Sequence, residues 1–241
     1  MSDLPELPIL LLTYERTDLS IRTIESTVKN LQYPKELISF YLCDDGSKGL
    51  SFNTVMECLK DHGQRVIGSH NRRIRNEGQE DTFFAGKSYN LGLGLCHQRS
   101  KFVLVLENDW ELDEPLDLVP HIKLLENGYS IGEEHNVVGA VTFRILSSGA
   151  DIRTVGYNGQ MYFKYHRNTQ YAFSGNPYIR HERFTKRYGW FAEDRNPGEM
   201  ELQQDDMYRL ATEWDAPQIW RPADISVWGS WKHIGQEKSW S

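Results

Sequence analysis

The stretch Lys101-Phe-Val-Leu-Val-Leu-Glu-Asn-Asp109 places three polar residues directly after a run of five apolar ones. Continuous apolar runs of this length are typical of strands that are buried on both faces, as in parallel sheets. The polar residues would then lie at the carboxyl end of the strand, where open α/β sheets bind their ligands. Carboxylates suit Mg²⁺ and Mn²⁺, which are hard cations that prefer oxygen ligands. We expect Asp109 to hold such a cation against a diphosphate; the alternative is an acid that only caps a loop.

The part of the chain before this stretch alternates between strand and helix patterns. Strands are predicted at 8–13, 37–43 and 64–68, and helices at 18–31, 52–60 and 83–97. Such alternation indicates an α/β fold with a mostly parallel central sheet that is flanked by helices.

The second half of the chain has a different pattern. We predict helices at 115–127 and 200–212 and a strand at 136–145. A β-hairpin is predicted around Asn158-Gly159, because this pair between β-type runs favours a tight turn. No repeat, low-complexity tract or flexible linker interrupts the sequence. We therefore expect a single domain over residues 1–241, with one half at 1–112 and a smaller half, which contains the hairpin, at 113–241.

The composition excludes several classes of protein. The chain has 241 residues, of which 39% are hydrophobic and 25% charged, as in soluble globular proteins. No apolar run approaches the roughly 20 residues that a membrane-spanning helix needs. The net charge of −7 disfavours a protein whose main task is to coat nucleic acid. Three cysteines without CxxC spacing, and no signal-peptide pattern, predict a cytoplasmic protein with reduced thiols.

Two more polar segments follow predicted strands. Thr-Tyr-Glu-Arg follows the first strand, so that Thr13, Tyr14 and Arg16 would lie in the same crevice. Asp-Asp-Gly-Ser follows the second, where Asp44 and Asp45 could accept hydrogen bonds from a nucleotide base and its ribose. The alternatives are a helix-capping turn for the first segment and an ordinary Asp-Gly turn for the second.

In this order the three segments resemble the GT-A glycosyltransferases, and specifically glycosyltransferase family 2. The resemblance implies the GT-A fold, a nucleotide-sugar donor, inversion at the anomeric carbon and a metal ion held by a DXD motif. The segment at 107–109 departs from DXD in its first residue, because Glu keeps the carboxylate on a longer side chain. Glu107 and Asn108 are then expected in the nucleotide-sugar site, with Asp109 as the surer metal ligand. The resemblance covers residues 7–112 well and the rest weakly.

Two further segments match the family. Gly86-Lys-Ser-Tyr-Asn-Leu-Gly92 resembles its Gly-x-x-x-Asn-x-Gly segment, which implies that Lys87 contacts the diphosphate and that Asn90 orders the donor site. Trp231-Lys-His-Ile-Gly235 is similar to the His-Ile-Gly segment of many GT-A enzymes, where the histidine completes the metal shell. His233 is then the second metal ligand, and an imidazole favours Mn²⁺ over Mg²⁺. The alternatives are a solvated lysine and an interfacial histidine.

The resemblance implies a catalytic base on the predicted helix at 200–212. Gln-Gln-Asp-Asp takes the place of the family's Glu-Asp motif, whose Asp is the base, but no Glu precedes the acids here. Asp205 and Asp206 are both candidates, and only one can face the sugar because neighbouring helix residues point about 100° apart. Glu199 and Glu201 are next in line. Both aspartates could instead be solvated helix residues.

These observations predict a metal-dependent inverting hexosyl- or pentosyltransferase that uses Mn²⁺ or Mg²⁺ and a UDP- or GDP-sugar. Residues 1–112 would bind the donor, and residues 113–241 would bind the acceptor and supply the base. The acceptor is a glycan or, in a phage-like setting, hydroxymethylated DNA, for which basic runs at 72–75 and 180–187 could line a groove. A non-catalytic nucleotide- or sugar-binding module on the same scaffold is a third hypothesis, which the missing Glu keeps open. A Rossmann oxidoreductase is disfavoured, because no G-x-G-x-x-G follows the first strand.

Overall fold

The computed structural model describes residues 4–47, 49–70, 85–131, 134–143, 153–165, 177–211 and 216–235. The basic run at 72–75 lies outside the described residues. None of the helices in the described part of the chain has the length and apolar character that a membrane crossing requires.

The described elements follow the chain in this order. The strands are β1 (Leu7–Thr13), β2 (Leu31–Gln32), β3 (Ile38–Asp44), β4 (Val66–His70), β5 (Phe102–Glu107), β6 (Trp110–Leu112), β7 (Leu116–Asp117), β8 (Tyr129–Ile131), β9 (Glu134–Asn136), β10 (Val138–Thr142), β11 (Arg153–Tyr157), β12 (Gln160–Lys164), β13 (Tyr178–His181), β14 (Gln218–Pro222) and β15 (Trp231–His233). The helices are α1 (Thr17–Asn30), α2 (Gly49–Asp61), α3 (Ala85–His97), α4 (Val119–Asn127), α5 (Glu182–Tyr188), α6 (Pro197–Leu210) and α7 (Ile225–Trp228). A short 3-10 helix lies at Lys35–Leu37.

Nine of the described strands form one sheet, in the order β11-β12-β14-β10-β13-β5-β1-β3-β4. Strands β5, β1, β3 and β4 run parallel, as the alternating sequence pattern predicts. Strand β13 is antiparallel to both β5 and β10, and it joins the parallel part to a mixed part of the sheet. The predicted α/β fold class is confirmed, and strands from both halves of the chain share one sheet.

Strand β1 shows why the apolar runs become central strands. All seven of its residues are buried. Leu7, Ile9 and Leu11 belong to one hydrophobic core, whereas Leu10 and Leu12 belong to a second one. Because successive strand residues point to opposite faces of the sheet, one continuous apolar run fills both cores.

The Asn158-Gly159 pair forms the tight turn that its sequence predicts. Strands β11 and β12 pair antiparallel on either side of it. Asn158 has φ 46° and Gly159 has φ 79°. Two consecutive positive φ angles are the mark of the type I′ turn that suits a two-residue hairpin.

The strand register brings the polar segments together. Thr13 at the end of β1 lies opposite Asp44 on β3, and Leu12 lies opposite Glu107 on β5. Strand β15 pairs antiparallel with β6, the strand that begins directly after Asp109. The last described residues therefore return to the carboxyl edge of the parallel strands.

Candidate functional site

Asp44 orders the turn that follows β3. Its Oδ1 accepts hydrogen bonds from the backbone N–H of Gly46 at 3.0 Å and of Ser47 at 2.7 Å. Its Oδ2 accepts from Thr13 Oγ1 at 2.9 Å and from Ser47 Oγ at 2.6 Å. Both carboxylate oxygens of this buried side chain are thus occupied within the protein. Asp44 joins the ends of β1 and β3, and direct contact between Asp44 and a nucleotide stays a prediction.

The neighbouring carboxylate, Asp45, faces the beginning of α3. Ser88 Oγ donates to Asp45 Oδ1 at 3.2 Å, which ties the turn after β3 to the first turn of that helix. Lys87 is exposed beside it. Across the edge of the sheet, Tyr14 is half-buried in the turn after β1. These side chains surround the carboxyl edge, where the sequence places a nucleotide.

The turn between β1 and α1 has a strained backbone. Glu15 and Arg16 both have φ of 51°, a left-handed conformation that costs a non-glycine residue about 1–2 kcal/mol. Glu15 N–H donates to Ser47 Oγ at 2.6 Å. Asn108 Nδ2 donates to the Glu15 carbonyl at 3.3 Å and to Ser20 Oγ at 3.2 Å. Asn108 therefore positions this turn from the end of β5, and strain that is held in place this way is a feature of ligand sites.

Asp109 differs from Asp44 in its hydrogen bonding. Its Oδ2 lies 3.1 Å from Arg16 Nη1 and 3.3 Å from His233 Nε2. Its Oδ1 is buried and has no hydrogen-bond partner in the part of the chain that the structure describes. A buried carboxylate oxygen without a partner is costly. The carboxylate therefore has unused capacity to bind a cation.

The tail of the chain is attached to Asp109 through its backbone as well. Ile234 N–H donates to the Asp109 carbonyl at 2.9 Å, and the rings of Trp110 and His233 have centroids 5.0 Å apart. Gly235 lies so close to the Asp109 carboxylate that a β-carbon at this position would overlap it. The absence of a side chain at Gly235 thus lets the tail bring His233 to a residue 124 positions earlier.

Asp109 and His233 fit a divalent metal ion as a pair of ligands. Two ligand atoms at a right angle, each about 2.1 Å from an octahedral ion, lie about 3.0 Å apart. The distance between Asp109 Oδ2 and His233 Nε2 is 3.3 Å. Among the described residues no group of three His, Cys, Asp or Glu side chains could hold a metal. The remaining ligands would have to be phosphate oxygens and water, as is common for Mg²⁺, and the metal itself stays a prediction.

Glu107 has a different character from Asp109. Tyr89 OH donates to its Oε1 at 2.7 Å. Burial raises the pKa of Glu107 to about 8, and the nearby Asp109 and Glu201 carboxylates add to this rise. The Glu107 carboxyl is therefore protonated more readily than that of an exposed glutamate.

The glycine and the asparagine of the 86–92 segment hold a neighbouring loop. Gly86 touches the Ala192 carbonyl so closely that no side chain would fit. Asn90 Nδ2 donates to the Phe191 carbonyl at 3.0 Å and to Glu193 Oε1 at 2.9 Å. Asn90 Oδ1 accepts from the Phe191 N–H at 2.9 Å. The structure thus places Asn90 against the protein backbone, where it fixes the segment at 191–193 on the first turns of α3.

Asp205 and Asp206 lie on different faces of helix α6. Asp205 is 8% exposed and lies on the inner face of the helix. Asp206 is on the outer face, where its Oδ1 accepts from Arg209 Nη2 at 2.6 Å. This difference favours Asp205 as the acid that can meet a substrate, although its role as a base stays a prediction.

The two glutamates next in line also differ. Glu199 is exposed, and its carboxylate accepts the Asn196 N–H in the capping box that starts α6. Glu201 lies one helical turn before Asp205 and contributes to the raised pKa of Glu107. The face of α6 that carries Glu201 is therefore directed towards the end of β5.

One acidic pair near the site escaped the sequence analysis. Glu193 and Asp194 are both exposed, and they lie in the loop that Asn90 holds, directly before α6. They form a literal Glu-Asp pair, the form of the family motif that is missing at Asp205. That dipeptide was the available signal, and it makes Asp194 a further candidate base.

The second basic run does not form a continuous groove. Arg180 is fully buried, with its guanidinium carbon 4.8 Å from the ring centroid of Phe184 and 5.6 Å from that of Phe191. It packs in the interior, in contrast to the groove-lining position predicted for it. Lys186 is exposed and pairs with Glu182 at 2.8 Å.

The fold is similar to those of solved glycosyltransferases. The mannosyltransferase PcManGT from Pyrobaculum calidifontis, solved with GDP-Man and Mn²⁺, matches with a TM-score of 0.57 and 13% identity over 92% of this chain and 55% of its own. Residues 1–349 of S. aureus TarS, solved with UDP-GlcNAc, match with a TM-score of 0.57 and 17% identity over 91% and 56%. GalNAc-T7, solved with UDP, GalNAc and Mn²⁺, matches with a TM-score of 0.62 and 11% identity over 100% and 46%.

At identities this low, the structural matches show a common fold and nothing more. The chain has the GT-A fold, as its resemblance to the family implies. It spans about half the length of these solved proteins. No protein-family model and no curated protein sequence matches it.

Proposed function

We propose that this chain transfers a hexosyl or pentosyl group from a UDP- or GDP-sugar to an acceptor hydroxyl, with inversion at the anomeric carbon. The observation that carries the proposal is the meeting of Arg16, Asp109 and His233 at the carboxyl edge of the parallel strands. These side chains come from three distant parts of the sequence. A metal ion with a bound diphosphate would bind all three side chains, whereas a purely structural role leaves Asp109 Oδ1 without a partner among the described residues.

Donor binding is assigned to the side chains around this edge. Asp45, Thr13 and Tyr14 are assigned to the nucleotide base and ribose, because they lie at or directly after the carboxyl ends of β1 and β3. Lys87 is exposed on the first turn of α3, where its charge and the positive end of the helix both favour a diphosphate. Asp44 and Asn108 act through their hydrogen bonds within the protein, since they hold the two turns in place. PcManGT and TarS were solved with GDP-Man and UDP-GlcNAc, which supports a donor of this class.

Asp109 and His233 are assigned as ligands of Mn²⁺ or Mg²⁺. The bound ion would act as a Lewis acid that neutralises the charge on the leaving diphosphate. PcManGT and GalNAc-T7 were both solved with Mn²⁺, and the imidazole of His233 also favours Mn²⁺. Gly235 and the backbone bond from Ile234 keep the tail in position for this role.

Asp205 is assigned as the general base. The acceptor oxygen forms a bond to the anomeric carbon, the bond from that carbon to the diphosphate oxygen breaks, and the acceptor proton passes to the Asp205 carboxylate. Attack from the side opposite the leaving group inverts the anomeric configuration. Asp206 is less suited, because it is exposed and paired with Arg209.

The acceptor class and the cytoplasmic location remain predictions. A glycan and hydroxymethylated DNA are both hydroxyl acceptors, and burial of Arg180 removes one cation from the groove that DNA would need. Cys43, Cys58 and Cys96 are free thiols, which agrees with a reducing compartment.

A transfer assay tests the proposal. The chain is incubated with Mn²⁺, a panel of UDP- and GDP-sugars and a panel of glycan and hydroxymethylated-DNA acceptors, and products are identified by mass and by the NMR coupling at the anomeric proton. Donors are first ranked by thermal shift, because a ligand at 100 times its dissociation constant adds about 2.7 kcal/mol of stability. Asp205→Asn should lower turnover by about 10²–10⁴-fold with nearly unchanged donor affinity. Asp206→Asn is the matched control and should keep near-normal turnover.

Two outcomes contradict parts of this proposal. Near-normal turnover in Asp205→Asn moves the base elsewhere, and Asp194→Asn is then the next variant to measure. If the wild-type chain binds donor and Mn²⁺ but transfers sugar to no acceptor, the non-catalytic binding module replaces the enzyme.

A further inference from the structure

We propose that Arg16 is a built-in cation for Asp109, that a divalent metal ion displaces its guanidinium, and that the released guanidinium binds the donor diphosphate. The metal and the diphosphate in this exchange rest on the proposed function. The exchange itself rests on where the Arg16 side chain and backbone lie.

Arg16 already occupies a cation position at Asp109. Its Nη1 lies 3.1 Å from Asp109 Oδ2, the same oxygen that His233 Nε2 approaches at 3.3 Å. Gly235 lies beside the pair, where an added β-carbon would overlap the Asp109 carboxylate and crowd Arg16 Nη1. The side chains of Arg16 and Asp109 are only 17% and 12% exposed. Solvent therefore screens their interaction weakly.

A metal ion and the guanidinium compete for this carboxylate. Both carry positive charge, and a metal ion bound to Asp109 Oδ2 and His233 would stand within a few ångströms of Arg16 Nη1. Two cations at that separation in a partly enclosed site repel each other strongly. Asp109 Oδ1 has no hydrogen-bond partner among the described residues, so of the groups described at this carboxylate only His233 would remain when Arg16 leaves.

The backbone at Arg16 is held independently of the guanidinium. Arg16 is the N-cap residue of α1 in a left-handed conformation with φ 51° and ψ 49°, and its side chain makes no cap hydrogen bond. Its backbone is fixed separately: the Arg16 carbonyl accepts from the Ser20 N–H at 3.1 Å, and Asn108 holds the Glu15 carbonyl. The guanidinium can therefore leave Asp109 while the turn stays in place. A guanidinium binds phosphate oxygens through paired N–H groups, so a donor diphosphate at this edge is its natural new partner.

Mn²⁺ binding in the absence of nucleotide tests the exchange directly. Free Mn²⁺ is followed by electron paramagnetic resonance during titration of the full chain and of Arg16→Gln. Loss of the competing cation should tighten Mn²⁺ binding by about tenfold, which corresponds to about 1.4 kcal/mol. Arg22→Gln is the matched control. Arg22 lies on α1 and pairs with Glu111 at 2.7 Å, so this substitution removes the same charge from a residue that does not contact Asp109. Its Mn²⁺ affinity should stay within about twofold of wild type.

Calorimetric titration with UDP and GDP in saturating Mn²⁺ should show the opposite effect of Arg16→Gln on affinity. Arg16→Gln should weaken nucleoside-diphosphate binding by about tenfold, because the released guanidinium is no longer there to bind the diphosphate. Arg16→Lys keeps the charge and should show a smaller change in both titrations. Tighter metal binding together with weaker diphosphate binding is the expected pair of results.

Unchanged or weaker Mn²⁺ binding in Arg16→Gln, while its fold is intact by circular dichroism, overturns the exchange. That result leaves the proposed glycosyl transfer standing, since transfer is judged by product formation. Failure of both the wild-type chain and Arg16→Gln to bind Mn²⁺ overturns the exchange and the metal assignment together. A transfer assay without added metal then decides whether the proposed glycosyl transfer stands.

Discussion

Asp44 ends β3 and Asp109 follows β5, two strands on either side of β1 in the same parallel sheet, yet their carboxylates are used in different ways. Both oxygens of Asp44 are occupied by donors from the turn and from Thr13. One oxygen of Asp109 is shared between Arg16 and His233, and the other has no partner among the described residues. Position at a strand end therefore does not make an acid functional. We expect the ligand-binding carboxylate to be the one whose hydrogen-bonding capacity the described residues leave unused.

The same substitution at the two aspartates should separate binding from folding. Asp109→Asn should weaken Mn²⁺ binding by more than about 100-fold, because even residues that only support metal ligands cost about 10–100-fold. Its free energy of unfolding should change less than that of Asp44→Asn, because loss of the ion pair with Arg16 is partly offset by removal of the charge from a buried carboxylate with one oxygen unpartnered among the described residues. Calorimetry and urea unfolding measure the two quantities. Equal Mn²⁺ affinity in wild type and variant would remove Asp109 from the metal site.

Asp44→Asn should show the reverse pattern. An amide cannot accept from all the donors that surround Asp44, and hydrogen bonds to a charged group are each worth about 1.5–3 kcal/mol. We expect a loss of about 2–3 kcal/mol in the free energy of unfolding, measured with urea. Mn²⁺ affinity of the folded fraction should stay close to that of wild type. A variant as stable as wild type that has lost nucleotide binding would instead make Asp44 a direct ligand.

Asn108→Ala tests whether Asn108 stabilises the turn at Glu15 and Arg16. The variant loses the hydrogen bonds to the Glu15 carbonyl and Ser20 Oγ, which should cost about 1–2 kcal/mol of stability. Asn127→Ala is the matched control, because Asn127 is exposed and bonds to the Lys123 carbonyl at 3.1 Å. Equal stability loss in the two variants would show that Asn108 has no special part in holding the turn.

The sequence predicted those parts of the fold that depend on local pattern. The apolar runs of β1, β3 and β5 predicted buried parallel strands, and Asn158-Gly159 predicted its hairpin. Strands β13 and β14 were missed because they are short and their pairing partners are distant in sequence. The burial of Arg180 was missed for a related reason: its charge argued for solvent, whereas two aromatic rings provide its surroundings.

In the candidate site, too, the sequence predicted what depends on local motifs and missed contacts that depend on the folded structure. Short motifs identified the polar strand ends, and the family resemblance added His233, which no spacing rule could bring to Asp109 across 124 residues. The ion pair between Arg16 and Asp109 had no sequence signal, because it depends on positive φ angles at two residues that are not glycine. Likewise, the hydrogen bonds that Asp44 makes within the folded turn depend on tertiary structure, and a dipeptide does not reveal them.

The smallest expected effect concerns the strained turn at Glu15 and Arg16, which lies beside Asp109. Glu15 has φ 51° and uses its backbone, with the N–H bound to Ser47 Oγ and the carbonyl bound by Asn108. Glycine adopts this conformation without the penalty of a β-carbon, although it loses more chain entropy on folding. Glu15→Gly should therefore raise the free energy of unfolding by about 0.5–1 kcal/mol, measured with urea. Because these backbone bonds remain, Mn²⁺ affinity should stay within about twofold of wild type. A destabilised variant would mean that the Glu15 side chain, and not only its backbone, holds the turn that presents Arg16 to Asp109.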